Sequence, residues 1–382
     1  MNIAHIGLYD EQTVNGVNAT TCCTANEVAK QGHNVCFYGF GTKNASYKQG
    51  RVTVREFQSG FFGAGTKAFI KLLRENPDNI DVFHIRSVFR PENWFASYYL
   101  KKYKHKYAIS IHGGYDPQIF QRGRLKKFIC YHLFDKPCLH GATAALTCGG
   151  QSEIRDLRRL KYKGPIYPVW DPIKPAKRVE VPNNKKLLYL GRYDIECKGL
   201  DILFKIFKEV QEIDPEVSLN LHGDAARKGD LFELKEELGL KNVSIKQPVY
   251  GTEKMDVIRD TNLYIQTSRW DSFGRSIAEA MVLGIPVVTN EIMNISSLVE
   301  EEDLGITVNT DYAVSARKIV DFLNNPRAIK ETSDRCHKIA IREFSPESVA
   351  KSNLTFYQKY FAPTFAELEK TGSSKNQLTV EI

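Results

Sequence analysis

The sequence predicts an α/β protein built from two doubly wound parallel-sheet domains that face each other across a cleft. Short apolar runs alternate with helix-like segments, a proline-rich stretch at 164–184 interrupts the alternation, and the alternation then resumes. A length of 382 residues suits two domains better than one. The contents of 42% hydrophobic and 26% charged residues are those of an ordinary folded chain.

Each predicted strand of the first half is a short apolar run. These runs are Ile3–Leu8, Asn34–Tyr38, Val82–Ile85, Tyr107–Ile111 and Ala144–Thr147. A helix is predicted over Ala19–Gln31, where Gly32 supplies a stop signal. Strands that alternate with helices in this way are typical of a parallel sheet, so residues 1–168 are predicted to form the first domain.

The second domain is predicted over residues 169–345 and begins within the proline-rich linker. Its predicted strands are Lys186–Leu190, Ser218–His222, Asn242–Ile245, Leu263–Gln266 and Pro286–Thr289, and its clearest helices are Leu200–Ile213 and Ser276–Leu283. A last amphipathic helix, Pro346–Phe361, is expected to pack back on the first domain. Residues 363–382 are predicted to be a polar tail.

Charge and cysteine content indicate the environment of the chain. Residues 1–170 hold 24 Lys/Arg and 12 Asp/Glu (24 − 12 = +12), and the remainder holds 29 and 33 (29 − 33 = −4), which sums to +8. A basic first half suits an anionic membrane surface or a phosphate-bearing acceptor as well as a merely solvated surface. No nucleic-acid-binding motif is present. Eight scattered cysteines without CxxC or metal-ligand spacing predict reduced thiols, and no signal-peptide pattern or membrane-span-length apolar stretch occurs, so we expect a cytoplasmic protein.

The strongest chemical signal runs from Asp271 to Pro286. An acidic residue precedes a glycine-containing turn, and a helix carrying Glu279 follows. A helix that starts at such a turn presents unsatisfied N–H groups, which favour a diphosphate. The carboxylates of Asp271 and Glu279 can accept hydrogen bonds from sugar and ribose hydroxyls. An ordinary helix with a charged first turn is the plainer alternative.

A second signal lies in the segment from Gly191 to Gly199, between a predicted strand and a predicted helix. It carries two cations, Arg192 and Lys198. Two cations in one such loop can hold a diphosphate and stabilise the charge that grows on a departing nucleotide. Taken alone the segment is also compatible with an ordinary basic loop.

With these motifs the chain resembles the retaining glycosyltransferases of the GT-B fold, specifically glycosyltransferase family 4. The acidic-x7-Glu motif of that family matches Asp271 and Glu279, and its Arg…Lys phosphate clamp matches Arg192 and Lys198. The segment Ser110–Pro117 looks like the HGxxDP segment of members that build capsular and exopolysaccharides. The GT-B fold consists of two Rossmann-like domains across a cleft, as the alternation of elements predicts.

The resemblance implies a role for each matched residue. Glu279 would bind the ribose, Asp271 the transferred sugar, and Arg192 and Lys198 the diphosphate, while His112 would lie near the reacting sugar as a contact or helper base. The other implied donor contacts are Gly16 in the first loop, the region of Val249 and Tyr250 beside the base, and the backbone amides of Phe273, Gly274 and Arg275. No metal or other cofactor is implied. The catalytic set is thus His112, Asp271, Arg192 and Lys198.

Three positions depart from the family pattern. Asp271 stands where most members have Glu, Asn15 replaces the first glycine of a Gly-Gly pair, and Trp170-Asp171-Pro172 replaces a Pro-Asn-Gly hinge. The sequence offers no pair of carboxylates placed as in glycosidases. Front-face attack by the acceptor is therefore the expected route to retention.

The expected reaction moves a sugar from a nucleotide-sugar, with UDP-sugars favoured, to a glycan or lipid-linked acceptor in polysaccharide or glycoconjugate synthesis at the inner face of the cell membrane. Two alternatives stay open from the sequence. One is an epimerase or phosphorylase on the same fold, and the other is a non-catalytic protein that binds nucleotide-sugars.

Overall fold

The structure, a computed structural model, describes residues 1–7, 16–58, 67–121, 123–224 and 228–362. It contains two separate sheets, one in each half of the chain. The predicted α/β architecture with two parallel-sheet domains is confirmed. The predicted polar tail and Asn15 lie outside the described residues.

The sheet of the N-terminal domain has eight strands. They are β1 (Asn2–Ile6), β2 (Asn34–Gly41), β3 (Ala45–Gln49), β4 (Val52–Gln58), β5 (Val82–Arg86), β6 (Tyr107–Ser110), β7 (Ala144–Thr147) and β8 (Ile166–Pro168). Their spatial order is β3-β4-β2-β1-β5-β6-β7-β8. All neighbours are parallel except β3, which pairs antiparallel with β4. The order reverses direction beside β1, which creates the crevice where doubly wound sheets bind ligands.

Helices cover both faces of this sheet. They are α1 (Gly16–Lys30), α2 (Lys67–Glu75), α3 (Pro91–Lys102), α4 (Pro117–Gln121), α5 (Arg124–Cys130), α6 (Lys136–His140) and α7 (Ser152–Arg159). A π-helical turn over Tyr131–Asp135 joins α5 directly to α6. Fully buried strand residues such as Ile3, Val82 and Ala108 occupy one face of the sheet, and Ala4, Phe83 and the alternate positions occupy the other.

The C-terminal sheet has six parallel strands. They are β9 (Lys186–Leu190), β10 (Ser218–His222), β11 (Val243–Lys246), β12 (Leu263–Gln266), β13 (Val287–Asn290) and β14 (Gly305–Val308). Their order is β11-β10-β9-β12-β13-β14. The helices are α8 (Ile195–Lys198), α9 (Leu200–Ile213), α10 (Lys228–Glu237), α11 (Gly251–Arg259), α12 (Arg275–Val282), α13 (Ser296–Glu301), α14 (Tyr312–Leu323), α15 (Pro326–Phe344) and α16 (Pro346–Phe361). The switch point of this sheet lies between β9 and β12.

The last helix, α16, packs against the N-terminal domain. Its buried face, which includes Val349 and Phe356, shares one hydrophobic cluster with strand residues of the first sheet. The Tyr357 hydroxyl also lies 2.7 Å from His84 Nδ1 on β5. The chain therefore passes between the domains twice. The two passages are in contact, because the Ile173 N–H donates to the Phe344 carbonyl over 2.7 Å.

Several elements differ from the sequence expectation. Residues 166–168, which the proline-rich pattern placed in the linker, form edge strand β8, where an edge position tolerates Pro168 because that nitrogen needs no partner. Strand β3 is polar and exposed, so its sequence lacks the apolar run that marks a buried strand. Strands β4 and β14 were also not predicted.

Two observations bear on the setting of the chain. All eight cysteines are free thiols. In the part of the chain that the structure describes, no helix combines the length and apolarity that crossing a bilayer requires.

Candidate active site

A cavity of about 740 Å3 lies at the carboxyl edge of the C-terminal sheet. The strand ends Leu190, His222 and Gln266 contribute to its wall, so it sits at the switch point of the sheet. The residues that the sequence predicted and that line it are Arg192, Lys198, Val249, Tyr250, Asp271, Arg275 and Glu279. Ala19 of α1 lines it from the N-terminal domain. Side chains predicted from separate motifs thus share one cavity.

Lys198 and Asp271 form an ion pair at the floor of this cavity. Lys198 Nζ lies 2.6 Å from Asp271 Oδ2, and Gln266 Nε2 donates to the same oxygen over 2.8 Å. Burial alone would raise the pKa of Asp271, but the charge and hydrogen bond of Lys198 hold the pKa below its ordinary value. Asp271 is therefore an anion at neutral pH, with its charge held in place by a cation and an amide.

The local sequence around α8 fixes the position of Lys198. The Asp194 carboxylate accepts a hydrogen bond from the Cys197 N–H at 3.0 Å, which caps the one-turn helix. Gly199 follows with φ of 61°, and a Cβ there would stand 2.1 Å from the Thr267 carbonyl oxygen. Only glycine fits this position, and it directs the chain from α8 into α9.

The turn before α12 differs in one respect from its predicted role. Gly274 takes the left-handed conformation with φ of 74°, and its N–H donates to Asp271 Oδ1 over 3.1 Å. The resemblance implies that this amide contacts sugar or phosphate, and in the structure the neighbouring carboxylate accepts its hydrogen bond. The Phe273 side chain packs inward against Trp170 and Phe344.

Glu279 on α12 lies between two cations. One is Lys254 of α11, whose Nζ forms an ion pair with Glu279 Oε2, and the other is Arg275, whose Nε lies 3.6 Å from Glu279 Oε1. The sequence analysis missed Lys254 because it carries no motif and lies 25 residues from its partner. Together these residues present a fixed carboxylate beside two positive charges.

The remaining predicted donor contacts fall into two groups. Val249 and Tyr250 line the cavity just before α11, and the Tyr250 ring is 64% exposed, so it is accessible to a planar group. Gly16 is the first residue of α1 rather than a loop residue. The residue of α1 that lines the cavity is Ala19.

A second chamber, of about 170 Å3, adjoins the first. It shares Arg192, Lys198 and Asp271 with the larger cavity, and the N-terminal domain supplies its other wall. That wall consists of His112, Gly113, Asp116, Ile119, Ser152, Glu153 and Asp156. The three shared residues thus stand where the two chambers meet.

Two carboxyl groups in this chamber have pKa values raised well above their ordinary range. Glu153 accepts hydrogen bonds from the backbone N–H groups of Cys148, at 2.7 Å, and Gly113. Burial nevertheless raises the pKa of Glu153 to about 8. Burial and the neighbouring Asp116 raise the pKa of Asp156 to about 7. The sequence gave no sign of this group, because residues some 40 positions apart converge only after α7 packs behind the 112–116 turn.

His112 lies in the wall between the chamber and the sheet. Its φ is 44°, and among the described residues its buried Nε2 atom has no hydrogen-bond partner. Burial, followed by the charge of Arg86, lowers the pKa of His112 to about 3, so the ring is neutral. A neutral imidazole with a free ring nitrogen can hydrogen-bond to a substrate hydroxyl.

Comparison with known proteins finds a family match in the C-terminal domain. Residues 171–343 match the family model described as "Glycosyl transferases group 1". An uncharacterized 41.2 kDa protein of the cps region of Klebsiella pneumoniae is 27% identical over 191 residues, which cover 49% of this chain and 50% of that protein. The poly(ribitol-phosphate) alpha-N-acetylglucosaminyltransferase of Staphylococcus aureus is 26% identical over 166 residues, which cover 43% of this chain and 33% of that enzyme. The matches thus span half or less of these relatives.

Solved structures extend the likeness to both domains. The crystal structure of Anabaena HepE in complex with UDP superposes with a TM-score of 0.70 at 15% identity, covering 94% of this chain and all of that one. At this identity the likeness concerns the fold. The C-terminal domain, which holds Arg192, Lys198, Asp271 and Glu279, thus matches the model of the group 1 glycosyl transferases, and the chain as a whole has the two-domain GT-B fold.

Proposed function

We propose that the protein is a retaining glycosyltransferase that transfers a sugar from a nucleotide-sugar to a glycan or lipid-linked acceptor. The observation that carries this proposal is that Arg192, Lys198 and Glu279 line the same cavity at the switch point of the C-terminal sheet. Its volume of about 740 Å3 is that of an ordinary small-molecule site. Its cations suit a diphosphate, and its carboxylates suit hydroxyl groups.

The donor is proposed to lie along the cavity from Tyr250 to Asp271. The base stacks near Val249 and Tyr250, the ribose hydroxyls donate to Glu279, and the diphosphate lies between Arg192 and Lys198. Asp271 then receives hydroxyls of the transferred sugar. UDP is the favoured nucleotide, because HepE, which shares this fold, was crystallised with UDP.

The acceptor is proposed to enter through the smaller chamber. That chamber meets the larger cavity at Arg192, Lys198 and Asp271, which supports an acceptor hydroxyl that approaches the sugar on the same side as the departing phosphate. In this front-face displacement the leaving phosphate accepts the proton of the attacking hydroxyl, and the anomeric configuration of the sugar is retained. His112 orients the hydroxyl as a neutral hydrogen-bond partner.

The proposed chemistry needs no metal ion. Lys198 and Arg192 supply the positive charge that stabilises the growing negative charge on the nucleotide. The relatives favour polysaccharide or glycoconjugate assembly, since one lies in a cps region and another glycosylates poly(ribitol-phosphate). A cytoplasmic protein at the inner membrane face is consistent with the eight free thiols and the basic first half.

The first experiment is a thermal-shift panel of nucleotides and nucleotide-sugars, because a ligand that binds only the folded state raises its stability by mass action. We expect UDP and at least one UDP-sugar to raise Tm. Transfer is then assayed with the stabilising donor, and the anomeric configuration of the product is read by NMR. Inverted product would refute front-face retention, epimerisation without acceptor would favour an epimerase, and binding without turnover would favour a non-catalytic role.

A further inference from the structure

One helical segment of the N-terminal domain carries an apolar face that points to solvent. The described part of the chain has eleven exposed large apolar side chains, and five of them fall between residues 125 and 134. They are Leu125, at 74% exposed, Phe128 at 57%, Ile129 at 46%, Leu133 at 62% and Phe134 at 44%. Such a concentration is unusual for a surface helix and marks an interaction site.

The spacing of these residues forms a continuous stripe. Leu125, Phe128, Ile129 and Leu133 follow the i, i+3, i+4, i+8 spacing of one helical face, and His132 holds the i+7 position. Phe134 lies outside this spacing, and its ring stacks on Trp94. The opposite face, with Tyr131, Asp135 and Cys138, is buried in the domain core. The helix is therefore already packed on its inner side, and the outer stripe is a second apolar face. We call residues 124–136 the docking helix.

The charges around the stripe have a single sign. Arg124, Lys126 and Lys136 are exposed, and the one acidic residue of the docking helix, Asp135, is buried against the Trp94 indole N–H at 2.5 Å. In a symmetric dimer these cations would face one another across the interface, which opposes self-association. An apolar stripe with a cationic border is instead the pattern of a helix that lies in the interface of an anionic bilayer.

The docking helix is also coupled to the acceptor chamber. It follows α4 directly, and the Lys127 ammonium donates to the Ile119 carbonyl over 2.6 Å. Ile119 and Asp116 both line that chamber. A membrane contacted by the docking helix therefore lies next to the place where the acceptor enters.

We propose that residues 124–136 dock the protein on an anionic lipid surface, with the apolar stripe inserted at the headgroup boundary and the lysines on lipid phosphates. This rests on the proposed function only in explaining why a lipid-linked acceptor would be delivered there. The binding itself needs no sugar transfer, so the two can fail separately.

The test is co-sedimentation of the full chain with vesicles, without donor or acceptor. Vesicles of equimolar phosphatidylcholine and phosphatidylglycerol are compared with phosphatidylcholine alone. We expect binding to the anionic vesicles that weakens as salt increases. The double variant Leu125→Ser/Phe128→Ser is expected to bind at least about tenfold more weakly. Lys126→Gln/Lys136→Gln is expected to lose about fivefold per lysine.

Matched controls place the same changes elsewhere. Phe232→Ser/Val314→Ser removes exposed apolar side chains of the C-terminal domain, and Lys241→Gln/Lys330→Gln removes exposed lysines there. Both are expected to bind vesicles as the parent does. A Tm and a far-ultraviolet circular dichroism spectrum equal to those of the parent, both measured without ligand, show that each variant is folded.

Three outcomes overturn the proposal. The first is that the parent protein does not bind anionic vesicles. The second is that the stripe variants and the control variants lose vesicle binding equally. The third is that sedimentation velocity shows a dimer of the parent that the Leu125→Ser/Phe128→Ser variant no longer forms. The last result would assign the stripe to a second copy of the chain.

Discussion

Lys198 and Asp271, which are 73 residues apart, meet as a 2.6 Å ion pair between the two chambers. Both side chains are largely buried, at 15 and 18% exposed. A buried pair of this kind is costly to break from one side, because the surviving charge loses its partner. The pair also stands where a diphosphate and a sugar would meet, so it links donor binding to the stability of the domain.

Replacement of Lys198 by Ala is expected to reduce kcat by roughly 100- to 1,000-fold, comparable to loss of one oxyanion donor. Of the two cations that we propose hold the diphosphate, Arg192 alone would remain. Steady-state kinetics with saturating donor gives the measurement, and Lys318→Ala, an exposed lysine on α14, is the control. A near-normal kcat would remove Lys198 from the mechanism.

Replacement of Glu279 by Gln separates ribose contact from phosphate contact. Loss of a charged hydrogen-bond acceptor should weaken binding of both uridine and UDP by about tenfold or more. Lys198→Ala should weaken UDP and leave uridine unchanged, since uridine has no phosphate. Competition titration against a fluorescent donor analogue measures both ligands. If Glu279→Gln affects UDP alone, Glu279 does not contact the ribose.

The pKa of Glu153, raised to about 8 by burial, makes stability depend on pH. The unfolded chain ionises this group near pH 4.3, so between about 4.3 and 8 the folded chain holds the extra proton. Stability should therefore fall as pH rises through this window, by up to about 1.4 kcal/mol per pH unit. Glu153→Gln should flatten the decline in urea unfolding measured from pH 5 to 8. Glu233→Gln, on the surface of α10, should keep the parental slope.

A backbone test concerns Gly199. A methyl group there would meet the Thr267 carbonyl oxygen at 2.1 Å, whereas Gly239, with a similar φ of 66°, has open space around it. Gly239→Ala should cost about 1 kcal/mol from conformation alone. Gly199→Ala should cost clearly more than about 1–3 kcal/mol and should also weaken UDP binding. Equal losses in urea unfolding would show that the close approach is relieved without strain.

The sequence predicted the larger cavity better than the smaller chamber. Asp271, Glu279, Arg192 and Lys198 stand in short motifs at strand ends, and strands of a parallel sheet bring such ends together. Glu153 and Asp156 carry no motif, and their raised pKa values arise from burial between elements far apart in sequence. Such burial depends on the packing of distant elements, so no local sequence pattern predicts it.

The same limit applies to single elements. Strands β7, β9, β10 and β12 were predicted to the residue, because each carries closely spaced apolar residues that the sheet buries. Strand β3 is polar, and β8 has only three residues and ends in Pro168, so both needed a neighbouring strand to define them.

The two chain passages between the domains are adjacent, so a rotation of one domain relative to the other would take place about this single connection. Trp170 lies on one passage and Phe344 on the other. The Phe273 ring contacts both, tilted against Trp170 and edge-on to Phe344, with ring centroids 5.8 and 5.3 Å away. Phe273 belongs to the turn that begins at Asp271. A rotation of the domains about these passages would therefore move the turn that begins at Asp271, which we propose contacts the transferred sugar, so domain rotation and donor binding are expected to be coupled.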